Sequence, residues 1–313
     1  MNVIVTGGAG FIGSHLVDRL IDVGHEVHVF DHFQAGNINH VHPNAIIHEI
    51  DIVTDNLAPL FQKIRPDIVF HLAAQVDITT SVARPDQDAM VNIIATIRLL
   101  EASCQYRVKK FIFASSSAVY GEATQLPITE AESVCPISYY GLSKHAAEMY
   151  IKQFHRLYGL SYTILRYGNV YGPRQPSTGE GGVVAIFNDR IIADQPVYIY
   201  GDGEQTRDFV YVNDVVDANI ASLRKGTNQT IQIGTNEATS VRQLVDQLEQ
   251  IHQQQVEVIY KGARSGEVKN SCLDNQKAFN ELSWEPMISI KDGLSRTYDY
   301  FRRQTVPETS KKL

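Results

Sequence analysis

The sequence predicts an α/β protein: a doubly wound parallel sheet with a smaller α/β substrate-binding lobe at its carboxyl edge. Three observations lead there. Short β-branched runs alternate with stretches of helical period through the first half of the 313 residues. Each run is apolar on both faces, as a strand covered on two sides must be. Beyond Tyr167 the texture changes, with glycine and proline denser at Gly172-Pro173, Gly179, Gly181-Gly182, Gly201 and Gly203.

The elements follow in order. Val3–Val5 forms the first strand, a glycine-rich turn follows, and Ile12, Leu16 and Leu20 recur at the spacing of a helix face. Val27–Phe30 is the second strand, ending at Asp31, and Ile46–Ile47 and Ile68–Leu72 are the next two. Ile93, Ile97 and Leu100 mark a further helix, and Phe111–Ala114 a fifth strand. After Tyr167, short strands intersperse with helices at the sheet edge where ligands of open α/β sheets bind. The expected division is 1–167 for the large unit and 168–313 for the smaller one, with some exchange of strands and helices between them. The polar tail from Arg302 to Leu313 is expected to fray.

Composition removes several function classes. With 43% hydrophobic and 20% charged residues the chain is an ordinary globular protein. No apolar run approaches the roughly 18 residues of a membrane helix, and the start shows no secretory pattern. Cys104, Cys135 and Cys272 are far apart and form no framework, which fits a reducing cytoplasm. A formal net charge of −7 argues against a nucleic-acid partner, so a phosphate ligand must be held by a few placed groups. His28, His32, His40, His42 and His48 do not recur at metal-ligand spacing, and no metal is expected. Neither GxSxG nor a P-loop lysine motif occurs, which disfavours a hydrolase.

The turn after the first strand reads Thr6-Gly7-Gly8-Ala9-Gly10-Phe11-Ile12-Gly13. Glycine is required where the chain turns sharply and a pyrophosphate approaches the backbone at a helix N-terminus. Its place between first strand and first helix points to a Rossmann-type dinucleotide site. Asp31 lies 18 residues beyond Gly13, where a carboxylate accepts hydrogen bonds from both adenosine ribose hydroxyls and repels a 2′-phosphate. No Arg or Lys follows in Asp31-His32-Phe33-Gln34-Ala35-Gly36, so NAD is favoured over NADP.

Tyr140-Gly141-Leu142-Ser143-Lys144 places a phenol and an ammonium at i and i+4, on one helix face. A tyrosine must lose about three pKa units to act as a base at neutral pH, or about 4 kcal/mol, which Lys144 and the nicotinamide ring can supply. Tyr139 lies five residues from Lys144, rotated off that face. The fifth strand ends in Ala114-Ser115-Ser116-Ser117-Ala118-Val119-Tyr120-Gly121, where a serine hydroxyl can complete a proton relay.

These residues resemble the extended short-chain dehydrogenase/reductase family, and within it the UDP-glucose 4-epimerases. The series continues through His71-Leu72-Ala73-Ala74-Gln75, Leu165 to Arg174, Tyr200-Gly201-Asp202-Gly203 and Arg207-Asp208-Phe209-Val210-Tyr211-Val212, nearly the whole chain. The resemblance implies that Ser116, Tyr140 and Lys144 are catalytic. It implies an NAD site at Gly7, Gly10, Phe11, Ile12, Gly13, Asp31 and His32, with Asp51 and Ile52 at the adenine. Leu72, Ala73, Ala74 and Gln75 would meet the cofactor diphosphate side, and Asn92 and Tyr167, beside Tyr140 and Lys144, the nicotinamide half. For the nucleotide-sugar substrate it implies Ser81, Asn169, Gly182, Val183, Tyr198, Tyr200, Arg207, Arg264, Glu267 and Ser271, besides Ser116 and Tyr140. Arginine forks suit a pyrophosphate, and an aromatic ring suits a uracil face.

The family's dehydratases carry an Asp-Glu pair after the catalytic hydroxyl; here Ser117-Ala118 stands there, which disfavours elimination. Ser271 matches a position that limits space around the sugar C2 substituent, and a small residue leaves room for an N-acetyl group. Tyr139 departs from a family pattern in which proline often precedes the catalytic tyrosine. The expected reaction is 4-epimerisation by transient oxidation at C4, rotation of the 4-keto sugar and re-reduction, in a cytoplasmic homodimer joined through helices near 88–104 and 139–158. The alternatives are another nucleotide-sugar epimerase or reductase, of a uronic or amino sugar, and a non-catalytic NAD-binding protein.

Overall fold

The computed structural model describes residues 1–178, 181–262 and 268–305. The first half lays down strands β1 (Asn2–Thr6), β2 (Glu26–Asp31), β3 (Ile46–Glu49), β4 (Ile68–His71), β5 (Lys110–Ser116) and β6 (Ser161–Tyr167). Its helices are α1 (Phe11–Asp22), α2 (Ala58–Ile64), α3 (Ile78–Ala83), α4 (Pro85–Ala89), α5 (Ala95–Gln105) and α6 (Tyr139–Tyr158). The second half adds strands β7 (Asn169–Tyr171), β8 (Val197–Tyr200), β9 (Thr206–Arg207), β10 (Phe209–Tyr211), β11 (Gln229–Ile233), β12 (Thr239–Ser240) and β13 (Val258–Lys261). Among them lie α7 (Val183–Ile192), α8 (Val212–Ser222), α9 (Val241–His252), α10 (Gln276–Leu282) and α11 (Ile290–Thr305).

The large sheet has seven parallel strands in the order β11-β6-β5-β4-β1-β2-β3. This is the doubly wound architecture expected from the alternating runs. The period of two shows in its packing. Val3, Val5, Phe70, Ile112 and Leu165 face a layer made by α1, α8 and α10, while Ile4, Val69, Phe111, Phe113 and Ile164 face α2, α5 and α6. Each fully buried residue of this size stabilises the fold by about 1.5–3 kcal/mol over exposure. The seventh strand, β11, and helices α8 and α10 come from beyond Tyr167 and complete the large layer. The remaining strands pair as β10-β7, β12-β9 and β13-β8, and α7, α9 and α11 close a separate core around Phe187, Ile199, Tyr211 and Leu244.

Strand order reverses between β1 and β4, which opens a crevice at their carboxyl ends. The two loops there touch: a Cβ on Gly7, whose φ is +68°, would lie 2.7 Å from the Ala73 amide nitrogen. Among the described residues no helix is long and apolar enough to cross a membrane.

Candidate active site

The glycines of the first turn work by closeness of approach. A Cβ on Gly13 would lie 2.0 Å from the Gly7 carbonyl oxygen. Gly10 caps α1 with no side chain, and the first turn of α1 holds no acidic residue. An anion therefore meets backbone N–H groups and the positive end of the helix dipole without a competing carboxylate. Asp31, 8% exposed, ends β2 beside this turn; one of its oxygens accepts from the Ala9 amide at 2.9 Å and the other from Phe33 at 2.9 Å. The Ile50 amide donates to the Asp31 carbonyl, which brings half-buried Asp51 and buried Ile52 to the same end of the sheet, with exposed His32 outermost. These residues fit a dinucleotide: a bare helix N-terminus for its phosphates and a carboxylate one strand away for a ribose.

The loop after β4 is pinned from beneath. His71 is 1% exposed, its Nδ1 2.7 Å from Thr6 Oγ1 and its Nε2 2.9 Å from Thr96 Oγ1. Thr96 donates its hydroxyl to the Asn92 carbonyl, so it accepts from His71, whose proton therefore sits on Nε2. Burial holds the imidazole neutral, its pKa down at about 3. Thr6 Oγ1 in turn accepts from the Ala73 amide, fixing the start of the Leu72 to Gln75 segment. The sequence showed the motif here, not the network under it.

Asn92 lies in a short π-helical turn, Met90–Ile94, between α4 and α5. Such single turns recur at functional positions. Its amide oxygen accepts from the Gln75 backbone, and its nitrogen lies 3.0 Å from the Gln75 carbonyl, 3.1 Å from Asp88 and 3.0 Å from Ser143 Oγ. Asn92 thus ties the β4 loop to α6. Tyr167 is 5% exposed and its hydroxyl is held by Asn219. Ser81 is fully buried in α3, donating to the Ile78 carbonyl.

Helix α6 begins at Tyr139 because Ser138 caps it, accepting from the Gly141 amide at 3.1 Å. Tyr139 is 48% exposed, whereas Lys144 is 3% exposed. Lys144 Nζ lies 6.0 Å from the Tyr140 ring centroid, 4.9 Å from that of Phe113, and donates to the Ala114 carbonyl at 2.9 Å. Burial lowers its pKa to about 8, opposed by the negative charges of Asp88 and Glu148. Ser116 ends β5 and accepts from the Ala118 amide at 3.1 Å. The Ala118 carbonyl packs against Gly141, where a Cβ would stand 2.4 Å away, so the serine turn and the first turn of α6 are locked together.

The neighbouring serine has another fate. Ser115 is 3% exposed and donates to Glu148 at 2.6 Å. Arg166 forks onto Glu148 at 2.8 and 2.6 Å and donates to the Tyr120 hydroxyl at 2.8 Å. Against its burial, which by itself raises it, this guanidinium and the other donors hold the Glu148 carboxyl down at about 2. Sequence reasoning missed Glu148, Arg166 and Asp88 alike: nothing local in a helix or a strand marks which charge turns inward.

The second lobe reaches this corner along residues 268–274. The Ser271 amide donates to the Thr206 carbonyl beside Arg207, and Leu273 packs with Val119 and Tyr120, just beyond Ser116. Ser271 is 7% exposed; Arg207 is half-buried, its guanidinium 2.8 Å from the Thr206 carbonyl and 3.1 Å from that of Lys269. Asp208, fully buried, anchors the edge by accepting from Thr235, Asn236 and Leu273 amides. Asn169 begins β7, its amide donating to the Asp208 carbonyl at 2.7 Å, while Gly182 and Val183 open α7. Tyr198 and Tyr200 share one face of β8; Arg190 and Lys261 lie 4.3 and 3.5 Å from the Tyr198 ring centroid. Arg264 and Glu267 lie outside the described residues.

Comparison with known proteins agrees with this picture. The model of a family described as the NAD dependent epimerase/dehydratase family matches residues 3–234. The UDP-glucose 4-epimerase of Mycolicibacterium smegmatis is 39% identical over 312 residues, 97% of this chain and 100% of that protein. The crystal structure of a UDP-glucose 4-epimerase with UDP-glucose from Thermotoga maritima is 48% identical, with a TM-score of 0.96 over 98% of this chain and 100% of that one. That of a UDP-glucose 4-epimerase from Thermus thermophilus, in complex with NAD, is 37% identical, with a TM-score of 0.92 over 97% and 99%.

Proposed function

The chain belongs to the NAD-dependent epimerase/dehydratase family, and on that premise we propose that it is a 4-epimerase of UDP-hexoses, interconverting UDP-glucose and UDP-galactose and their N-acetyl forms. The observation that carries this is the corner where Tyr140, buried Lys144 and Ser116 meet the Arg207–Ser271 edge. Relatives of matching length include a protein named UDP-glucose 4-epimerase and a structure of one solved with UDP-glucose.

Held by the Gly7–Gly13 turn and Asp31, NAD would supply reversible hydride acceptance at the sugar C4, on either face of that carbon. The protein's share is proton handling and grip. Tyr140 takes the proton of the sugar 4-hydroxyl and later gives it back, its phenolate favoured by the ammonium of Lys144. Ser116 hydrogen-bonds the same oxygen. Arg207 and Asn169 hold the nucleoside diphosphate, leaving the sugar free to turn over as the 4-ketone. Ser271, small and buried, leaves space at C2. The exposed apolar side chains along α6, Tyr139, Leu142, Met149, Tyr150 and Leu157, support a homodimer. Three free cysteines support a cytoplasmic setting.

The test is incubation of the purified protein, without added cofactor, with UDP-galactose and in parallel UDP-N-acetylgalactosamine, with absorbance at the reduced-nicotinamide band recorded throughout. Conversion to both 4-epimers without reduced cofactor accumulating is expected. Bound NAD with no conversion of either would reassign the substrate to another nucleotide sugar, and stoichiometric reduced cofactor would mean a dehydrogenase.

A further inference from the structure

Helix α4 carries a carboxylate that the scheme above leaves without a task. Asp88 is 1% exposed. Its Oδ1 lies 3.1 Å from Gln75 Nε2 and 3.1 Å from Asn92 Nδ2, and Ser143 stands beside it, its hydroxyl oxygen accepting from the same Asn92 amide. Both donors are neutral, and among the described residues no cation stands within ion-pair distance. Lys144 is the mirror case: a buried ammonium held by a neutral carbonyl, with no carboxylate among the described residues in direct contact. A buried charge is tolerated only when something opposes it. The two oppose each other across Ser143, which sits next to Lys144 in the chain and donates to the Tyr140 carbonyl at 3.0 Å.

We infer that Asp88 is a positioning residue of the active site, clamping the Tyr140–Lys144 turn to the β4 loop through Asn92, Gln75 and Ser143 and supplying the negative charge that keeps Lys144 protonated. This rests on Tyr140 being the base. The remaining charged groups around Lys144 fit the assignment. Glu148, one turn along α6, is matched by Arg166 of β6, with His145 and Lys152 3.8 and 3.9 Å from it. His71 of β4 is neutral. From β5 come only the Phe113 ring and the Ala114 carbonyl. Among the described residues, Asp88 is therefore the buried anion near Lys144 whose charge no cation already cancels. Its own carboxyl is pushed up by burial and held down by Ser143, Lys144, Gln75 and Asn92.

The consequence is a signed pH effect. Activity needs Tyr140 ionised and Lys144 protonated, which gives a bell-shaped profile. Removing a nearby negative charge eases ionisation of the phenol and loss of the lysine proton together. Both limbs for Asp88→Asn then move toward lower pH, by about one unit. Ser143→Ala, which cuts the bridge but leaves the charge, lowers kcat with both limbs in place. Ultraviolet difference titration of phenolate, with Tyr140→Phe as the blank, reads the Tyr140 shift without turnover; NAD content and circular dichroism confirm folding, and Asp88→Ala serves if the amide does not fold. Limbs and phenolate midpoint unmoved in a folded Asp88 variant would overturn the assignment, as would a shift in Ser143→Ala. Substantial turnover by Tyr140→Phe would instead overturn the base, and the phenolate titration would still judge Asp88.

Discussion

Ser115, Ser116 and Ser117 are three hydroxyls in a row, and their backbone decides what each does. Alternation along β5 sends Ser115 to the face where Glu148 waits and leaves Ser116 half-buried at the carboxyl end, capping the turn that locks onto α6. The two substitutions should therefore separate. Ser116→Ala folds normally and loses about 10²-fold or more in kcat, the usual scale for one member of a proton relay. Ser115→Ala leaves a buried carboxylate short of a donor and costs about 1–3 kcal/mol of stability, with kcat per folded molecule retained. Urea midpoints and steady-state rates on the same preparations check this; a Ser115→Ala enzyme as slow as Ser116→Ala would show the wrong hydroxyl had been chosen. The sequence marked the serine run and YxxxK spacing because both are local. It could not mark Asp88 or Glu148, since their burial depends on which neighbours the sheet brings beneath them.

Elements meet at His71, which joins β1 through Thr6 and α5 through Thr96 and so holds together the crevice between β1 and β4. Strands and glycine turn were legible as a periodic pattern and a motif. The π turn at Met90–Ile94 was not, because it widens a single turn of an otherwise helical stretch, which the apolar spacing of Ile93, Ile97 and Leu100 does not signal. The histidine makes stability depend on pH in a set direction. Its folded pKa of about 3 lies below the ordinary 6.5, so the folded state resists a proton the unfolded chain accepts. Stability is full above pH 6.5 and falls as pH drops toward 3; from pH 7.5 to 5 the loss from this group is about 2 kcal/mol. His71→Gln is less stable throughout but should lose that much less over the same interval. Equal losses in the two proteins, read from urea midpoints at both pH values, would remove His71 from the account.

At the scale of the whole molecule, the face of α6 opposite Lys144 is a contradiction for a lone chain. Tyr139, Leu142, Met149, Tyr150 and Leu157 are each 43% to 61% exposed, and Met90 and Ile94 of the π turn are exposed as well. Exposed apolar side chains grouped on one helix face support the proposed contact with a second copy. Each chain carries a formal charge of −7, so in the proposed homodimer a second copy would approach against repulsion and the contact would have to be held by burial of these side chains. Two consequences follow. Sedimentation should give a particle of twice 35.0 kDa, and its dissociation should become weaker as salt screens the repulsion, opposite to an interface built on ion pairs. Met149→Glu with Tyr150→Glu puts two further charges on the patch and should yield single chains. Because the same helix carries Tyr140 and Lys144, those single chains should turn over more slowly while keeping NAD. A wild-type protein that sediments as one chain at micromolar concentration in high salt would leave the patch to some other partner.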